Sequence, residues 1–229
     1  MAISTYDTLK SGIADFLNRS DLTNVIPTFI DLASAQINRD IRHWKMEKRV
    51  TLTATDGLVA LPSDWVGTIE VDHIDSTTNA FKRHLELFSD GEFSDRRYNT
   101  NEAAGDPVGF RHAASKIEIF PRSGTPKVDL RYMAKVEALS DLNSHNFILL
   151  DHPDVYLYGS LLHSAPYLVD DQRVAVWAQL YGAAVQRVNQ ESEKSKVSAS
   201  TLTMRNKGMN TGAYSAKNYH LEAKDGTNN

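Results

Sequence analysis

The spacing of hydrophobic residues changes along this chain and limits the folds that it can adopt. Near both ends, at about 6–44 and 151–196, hydrophobic residues recur every three or four positions, which is the period of an amphipathic helix. Between about 46 and 149 they alternate with polar residues, which is the period of a strand with one buried face. Amphipathic helices must bury their apolar faces, so we expect the two ends to pack together.

We therefore predict an α+β fold with three parts. A four-helix cluster is built from both chain ends, residues 1–45 and 150–197. A small antiparallel β domain, 46–149, is inserted between them, and an extended C-terminal arm follows at 198–229. A hydrophobic fraction of 41% in 229 residues is enough for a substantial core.

The C-terminal pair of helices has the clearest boundaries. Asp151, Pro153 and Asp154 are typical of a helix start, because acidic side chains cap free amides and proline occupies the first turn without losing a bond. Pro166 disfavours helix in the residue before it, so the first helix is expected to end near Ala165. A second helix with a broad apolar stripe follows.

The N-terminal pair has weaker signals. Ser4 or Thr5 is expected to cap the first helix, whose apolar face includes Phe16. Pro27 then marks the first turn of a second helix, which is expected to end near Trp44.

Turn signals divide the alternating region into six or seven short strands. Asp56-Gly57 indicates a hairpin between a strand that begins near Val50 and one that begins at Leu58. A second hairpin is expected across 108–120. Short strands joined in this way predict an antiparallel sheet or a small sandwich.

Charge and cysteine content exclude several classes of protein. The chain has 25 basic and 29 acidic residues, a formal charge of −4, so it lacks the positive charge typical of a nucleic-acid-binding protein. It has no cysteine, and therefore no disulfide or thiolate metal site. The N-terminus does not have the pattern of a signal peptide, and no stretch reaches the roughly 18 apolar residues of a membrane span, so we expect synthesis in the cytoplasm.

The last segment, from about Ser198, differs from the rest of the chain in composition. It is rich in Ser, Thr, Asn, Gly and Lys, and its apolar residues are scattered, so it cannot bury a core of its own. Between Ser198 and His220 it contains two lysines, one arginine and no acid, a formal charge of +3. Two interpretations remain open: a solvated tail, or an arm that becomes ordered on a partner.

The sequence contains no signature of a catalytic, cofactor-binding or metal-binding site. His152 and His163 lie three helical turns apart, which is too far for one ion. Neither a Gly-x-Ser-x-Gly elbow nor a phosphate-binding loop occurs. We therefore predict a protein that is not an enzyme, with no cofactor.

Four segments together resemble one family of structural proteins. They are the helical N-terminus 6–49, the LPSDW segment 61–65, the DRRYNTNEAAGDPVGF segment 95–110, and 149–196, which contains the sequences YLYG and APYL. Their order and spacing are similar to those of the head-to-tail adaptor, or connector, proteins of tailed bacteriophages. The resemblance covers about residues 1–210.

The resemblance implies a structural virion protein and a set of partners. Such an adaptor docks on the dodecameric portal ring, extends the DNA channel, and presents the attachment surface for the next tail component, a stopper, terminator or nozzle. It also implies that the chain itself forms a dodecamer, that genomic DNA passes through the lumen without specific binding, and that no membrane is involved. The implied location is the head-to-tail interface of the virion, after assembly in the host cytoplasm.

The resemblance also gives expected roles to residues near the C-terminus. In such rings the C-terminal arm commonly reaches along the portal, so the expected portal-binding residues are Leu202, Met204, Arg205, Lys207, Met209, Tyr214 and Tyr219. Small residues of the last two helices would allow close packing within the bundle or against neighbouring subunits. The residues expected to pack between subunits are Tyr156, Tyr158, Gly159, Tyr167, Trp177 and Tyr181.

Two other classes of protein remain as alternatives. A virion-associated cell-wall hydrolase would use carboxylates of the β domain, and Glu70, Asp72, Glu86 and Glu118 are the strand acids to test. A carbohydrate-binding tail component would expose several aromatic rings on one face of the sheet, but the strands supply few of them.

Overall fold

The computed structural model describes residues 2–99, 105–122, 124–168 and 173–196, and within them the predicted α+β class is confirmed. The helices are α1 (Tyr6–Leu17), α2 (Ile26–Asp40), α3 (Asp90–Asn99), α4 (Phe147–Asp151), α5 (Pro153–Leu168) and α6 (Val174–Lys196). The strands are β1 (Glu47–Thr53), β2 (Leu58–Ala60), β3 (Trp65–Ile74), β4 (Phe81–His84), β5 (Glu86–Leu87), β6 (Gly109–Ala113), β7 (Lys116–Phe120) and β8 (Lys127–Ala134). None of the helices in these ranges is long and apolar enough to cross a membrane.

Local hydrogen bonds fix the ends of α1 and α2. The Thr5 hydroxyl accepts a hydrogen bond from the Thr8 amide at 3.3 Å, and the Thr8 hydroxyl accepts one from the Thr5 amide at 2.9 Å. Of the two predicted caps, Thr5 is therefore the one that caps α1. Asn18 ends α1 in the left-handed conformation, with φ of 53°. α2 ends at Asp40, earlier than predicted, because Ile41 adopts an extended conformation.

Two expectations for the C-terminal helices are wrong in detail. Asp151 ends the short helix α4 and does not begin α5, because Asn146 caps α4 by accepting the Leu149 amide at 3.0 Å. α5 does not stop before Pro166 but continues through it to Leu168. A proline so near the end of a helix removes one internal hydrogen bond and leaves the preceding turns intact.

One hydrophobic core joins α1, α2, α5 and α6. Its fully buried side chains include Ile13 of α1, Ile30 of α2 and Leu161 of α5. Val136 and Leu149, from the region predicted to be the β insertion, belong to the same core. Residues 1–196 form one compact unit, so a division of this unit at 45 and 150 stays a prediction.

The strands form two sheets, in the orders β1-β8-β3-β4 and β2-β7-β6-β5. The predicted hairpin across 108–120 is confirmed as β6 and β7. The strand pairing is antiparallel, as predicted, except at one edge, where β5 lies parallel to β6. Only Leu85 separates β4 in the first sheet from β5 in the second, so the chain changes sheets at this residue.

The hairpin predicted at Asp56-Gly57 is present as a turn closed by a single antiparallel bridge between Thr55 and Leu58. Asp56 and Gly57 have positive φ, 53° and 71°, as a tight hairpin turn requires. β1 then pairs with β8 and β2 pairs with β7, so the two strands belong to different sheets. Ala54 and Val59, on either side of the turn, are at most 1% exposed between the sheets. Separation of the strands therefore buries both apolar faces.

The inner faces of the two sheets share a second core, as in a small sandwich. Val128 and Leu130 of β8 are fully buried, whereas Arg131 is exposed, so the predicted alternation holds. Ile117 and Ile119 of β7 are also fully buried in this core.

Candidate functional site

A row of charged side chains crosses the first sheet, and we call it the charged ladder. Glu70 and Asp72 lie two positions apart on β3 and so share one face. Arg131 Nη2 lies 3.5 Å from Glu70 Oε2, and Arg49 Nη2 lies 3.7 Å from Asp72 Oδ2. His84 is opposite Asp72 in register, with Nδ1 2.5 Å from Asp72 Oδ1 and 3.2 Å from Glu70 Oε1.

A buried carboxylate connects the second sheet to α3. Glu118 of β7 is 2% exposed, and its Oε2 lies 2.7 Å from Arg111 Nη2. Its Oε1 accepts a hydrogen bond from Arg122 and lies 3.9 Å from Nη1 of Arg97 on α3. A buried carboxylate is tolerated when it is paired in this way. We interpret Glu118 as the group that holds α3 and the segment after β7 against the sheet.

The four strand acids of the hydrolase alternative do not form one site. Glu86 is exposed at an edge of the second sheet, and Glu118 lies among its arginines. Glu70 and Asp72 do lie close together, but Nδ1 of His84 is positioned between them. Two glycosidase carboxylates need open space between them for the sugar or water, so this geometry gives the hydrolase alternative no support.

Two histidines are buried, and each has one ring nitrogen without a hydrogen-bond partner among the described residues. These atoms are Nε2 of His43, which is 2% exposed, and Nδ1 of His73, which is 3% exposed. Burial lowers the pKa of both imidazoles below the ordinary value. The rings therefore contribute to the fold in their neutral form.

We expect the free energy of unfolding to decrease as the pH is lowered from about 7 to about 5. His43 and His73 have lower pKa values in the folded chain than in the unfolded chain, so protons bind preferentially to the unfolded chain. Their stabilising contribution is complete above the unfolded pKa of roughly 6.5 and is lost as the pH falls. Urea unfolding at a series of pH values measures this dependence. His43→Phe should flatten it and the exposed control His145→Phe should not; an unchanged slope in His43→Phe would contradict this account.

Most residues predicted to pack between subunits lie inside the helical core of their own chain. Tyr156 is fully buried and its hydroxyl accepts a hydrogen bond from Asn146 at 2.8 Å. Tyr181 donates its hydroxyl to Asp40 Oδ2 at 3.0 Å, and burial raises its pKa. Trp177 is 5% exposed.

Gly159 has a packing role that the sequence indicated. A Cβ at this position would lie 3.2 Å from the Tyr181 ring and 3.3 Å from Ala33 Cβ, so glycine lets α5 pack closely between α2 and α6. Tyr158 is partly buried against the same core, and Tyr167 is 53% exposed beside Phe29. Contact of this set with a neighbouring subunit stays a prediction.

The structure reveals an uncharged surface on α6 that the sequence reasoning did not single out. Val176 is 54% exposed and Leu180 is 37% exposed. Together with their exposed neighbours they form what we call the α6 outer face: Ala175, Val176, Ala178, Gln179, Leu180, Gly182, Ala183 and Gln186. The sequence signal was the absence of any charged residue from 174 to 186. A helix that buries only one apolar stripe usually has charged residues on its opposite face.

The residues predicted to bind the portal cannot be placed in this structure. All of them lie outside the described ranges: Leu202, Met204, Arg205, Lys207, Met209, Tyr214 and Tyr219. Their role stays a prediction from sequence. The described chain ends at Lys196, whose ammonium group lies 2.9 Å from Glu47 Oε1.

The described residues form an α+β protein whose buried carboxylates, Asp72 and Glu118, are paired within the chain and which presents an uncharged helix face. The chain belongs to the SU10 adaptor protein family, whose model matches residues 4–205. This membership confirms the resemblance to phage head-to-tail adaptors and supports a structural protein of the virion. No curated protein was found to match the chain.

Proposed function

We propose that this chain is a head-to-tail adaptor that assembles as a dodecameric ring on the portal, extends the DNA channel, and presents the attachment surface for the next tail component. Membership of the adaptor family supports the general role. For this chain, the observation that supports the proposal is the α6 outer face. In the ring, this face contacts a second copy of the same chain. It is an exposed surface on a rigid helix of 23 residues.

The composition of the α6 outer face suits contact between subunits. Val176 and Leu180 are one helical turn apart and both are exposed. Apart from the neighbouring residues and backbone of α6 itself, no described atom lies within 4 Å of the place that a Cβ on Gly182 would occupy, so another backbone can approach closely there. A ring that closes by rotation joins two different surfaces of neighbouring subunits, so this face meets another part of the next copy and not its own equivalent.

The charge of the chain suits a channel through which DNA passes. Each copy contributes a formal charge of −4, so a ring of copies repels the phosphate backbone on average. DNA then passes through the lumen without being held by specific contacts.

Leu180→Asp is expected to prevent ring formation on the portal. A carboxylate buried without a partner at each subunit contact costs about 3 kcal/mol, and the cost recurs around the ring. The measurement is negative-stain imaging of purified portal mixed with the variant, scored for portals that carry a complete collar.

Leu142→Asp is the matched control, because Leu142 is fully exposed and lies outside α6. The control should give collars as often as the unchanged chain. Val176→Asp repeats the test at a more exposed position, and thermal melting shows whether each variant is folded. Normal collars with folded Leu180→Asp and Val176→Asp would refute the assignment of this face.

A further inference from the structure

The charged ladder brings together three groups that commonly bind metal ions. Glu70, Asp72 and His84 each offer one ligand atom, and these atoms all lie within 4.8 Å of one another. Glu70 is half-buried, Asp72 is buried and His84 is exposed, so the group opens from the sheet toward solvent. Carboxylate oxygens and an imidazole nitrogen are a mixed ligand set that suits Zn²⁺ and similar divalent transition metals.

The sheet, and not a loop, fixes this convergence. Glu70 and Asp72 are at alternate positions of β3 and therefore point to the same face. His84 lies on the neighbouring strand β4 as the register partner of Asp72. Opposite residues on paired strands have their Cβ atoms close together, so the backbone pairing itself aims the imidazole at both carboxylates.

Each carboxylate has an arginine near its outer oxygen, although Arg49 lies closer to Asp129, at 2.5 Å, than to Asp72. Arg131 lies against Oε2 of Glu70 and Arg49 lies against Oδ2 of Asp72, at 3.5 and 3.7 Å. The other oxygens, Oε1 and Oδ1, are left facing Nδ1 of His84. Partners that hold the far side of a ligand typically raise metal affinity and fix its orientation.

There is also space for the remaining ligands of an ion. A cavity of about 240 Å³ borders Glu70 and His84 on one side of the group, and Asp72 does not line it. That volume accommodates several water molecules. An ion held by three protein groups could therefore complete its coordination with water.

We propose that Glu70, Asp72 and His84 bind one Zn²⁺ or similar divalent transition-metal cation, which clamps the edge strand β4 to β3. Strand β4 has a particular need for such a clamp, because all four of its side chains are exposed and it pairs on one side only, with β3. Edge strands with few contacts open locally at low free energy. The bound ion links β4 directly to a strand in the interior of the sheet. This inference does not depend on the role of the chain in the virion.

The test is calorimetric titration of ZnCl₂ into the full-length chain, expressed without a histidine tag and freed of metal with a chelator. We expect one ion per chain with a dissociation constant of about 1 µM. His84→Ala and Glu70→Gln should each weaken binding at least tenfold, since each removes one ligand or its charge. His145→Ala, which changes an exposed histidine elsewhere, should bind as tightly as the unchanged chain.

Hydrogen–deuterium exchange provides a second readout that does not depend on the stability of the variants. In the unchanged chain, Zn²⁺ should slow amide exchange in β4 and leave α1 unaffected. Absence of Zn²⁺ binding at 100 times the expected dissociation constant would overturn the proposal. Equal binding by His84→Ala, or protection that is not centred on β4, would also overturn it.

Discussion

Removal of residues 197–229 is expected to abolish binding to the portal while the rest of the chain stays folded. The removed segment contains all seven predicted portal-binding residues and begins just after the end of α6. Residues 1–196 form a compact unit with their own cores, so the loss should not lower its melting temperature by more than about 2 °C. We expect the affinity for purified portal to fall at least about 100-fold, or about 2.7 kcal/mol.

A binding titration against immobilised portal measures this loss, and point variants of the full chain locate it. Arg205→Ala combined with Lys207→Ala removes two positive charges from the predicted portal-binding set and should weaken binding, more strongly at low salt. Lys224→Ala removes a charge outside that set and should have no effect. If the chain truncated after Lys196 binds portal as tightly as the full chain, the predicted role of the arm is wrong.

Glu118→Ala is expected to have the largest effect on stability of any charged-residue substitution that we consider. The change removes the buried carboxylate that Arg111 and Arg122 share, and leaves Arg111 with the exposed Asp90, 3.3 Å away. Removal of one partner of a buried ion pair costs about 3–5 kcal/mol. Arg97 of α3 also loses its 3.9 Å contact with this carboxylate, whereas Phe93 still anchors α3 against Phe120. Urea unfolding followed by circular dichroism measures the loss.

Glu86→Ala is the matched control for this substitution, because it removes the same side chain from an exposed position of the same sheet. Its effect should stay within about 0.5 kcal/mol. Glu118→Gln keeps the size of the side chain and should fall between the two. A loss below 1 kcal/mol for Glu118→Ala would show that the arginines find other partners, contrary to the structural role that we assign to Glu118.

The elements with strong local signals could be predicted from sequence. The capping residue Thr5, the turn at Asp56-Gly57 and the alternation around Leu130 each depend on the chemistry of a few neighbouring residues. The hairpin of β6 and β7 was found for the same reason. Local propensity and tertiary packing agree at these positions.

The features that depend on distant partners could not be predicted. Nothing near Asp56 reveals that β1 and β2 separate into two sheets, because that choice depends on β8 and β7, about 60 to 80 residues further along. His84 lies beside Asp72 because these two residues are opposite each other in the pairing of β3 with β4. Alternation of polar and apolar residues predicts which face a residue lies on, but not which residue of the next strand lies opposite. Glu118 was named only as a strand acid, and its three arginines come from three separate segments.

The candidate sites show the same limit. Tyr156, Trp177 and Tyr181 are aromatic residues of a helix pair that needed a partner surface, and sequence could not say whether that surface lay in the same chain or in a neighbour. The structure buries all three against helices of the same chain. The side of α6 that remains open is the one with Val176 and Leu180, so the proposed contact between subunits moves to that side.

Electron microscopy of purified adaptor mixed with purified portal tests whether this adaptor forms a ring on the portal. We expect a collar of twelve-fold symmetry on one end of the portal, with the α6 outer face at the contact between neighbouring copies. Portals without a bound collar at saturating concentrations of the adaptor would contradict this expectation, as would a bound complex in which the α6 outer face is exposed to solvent.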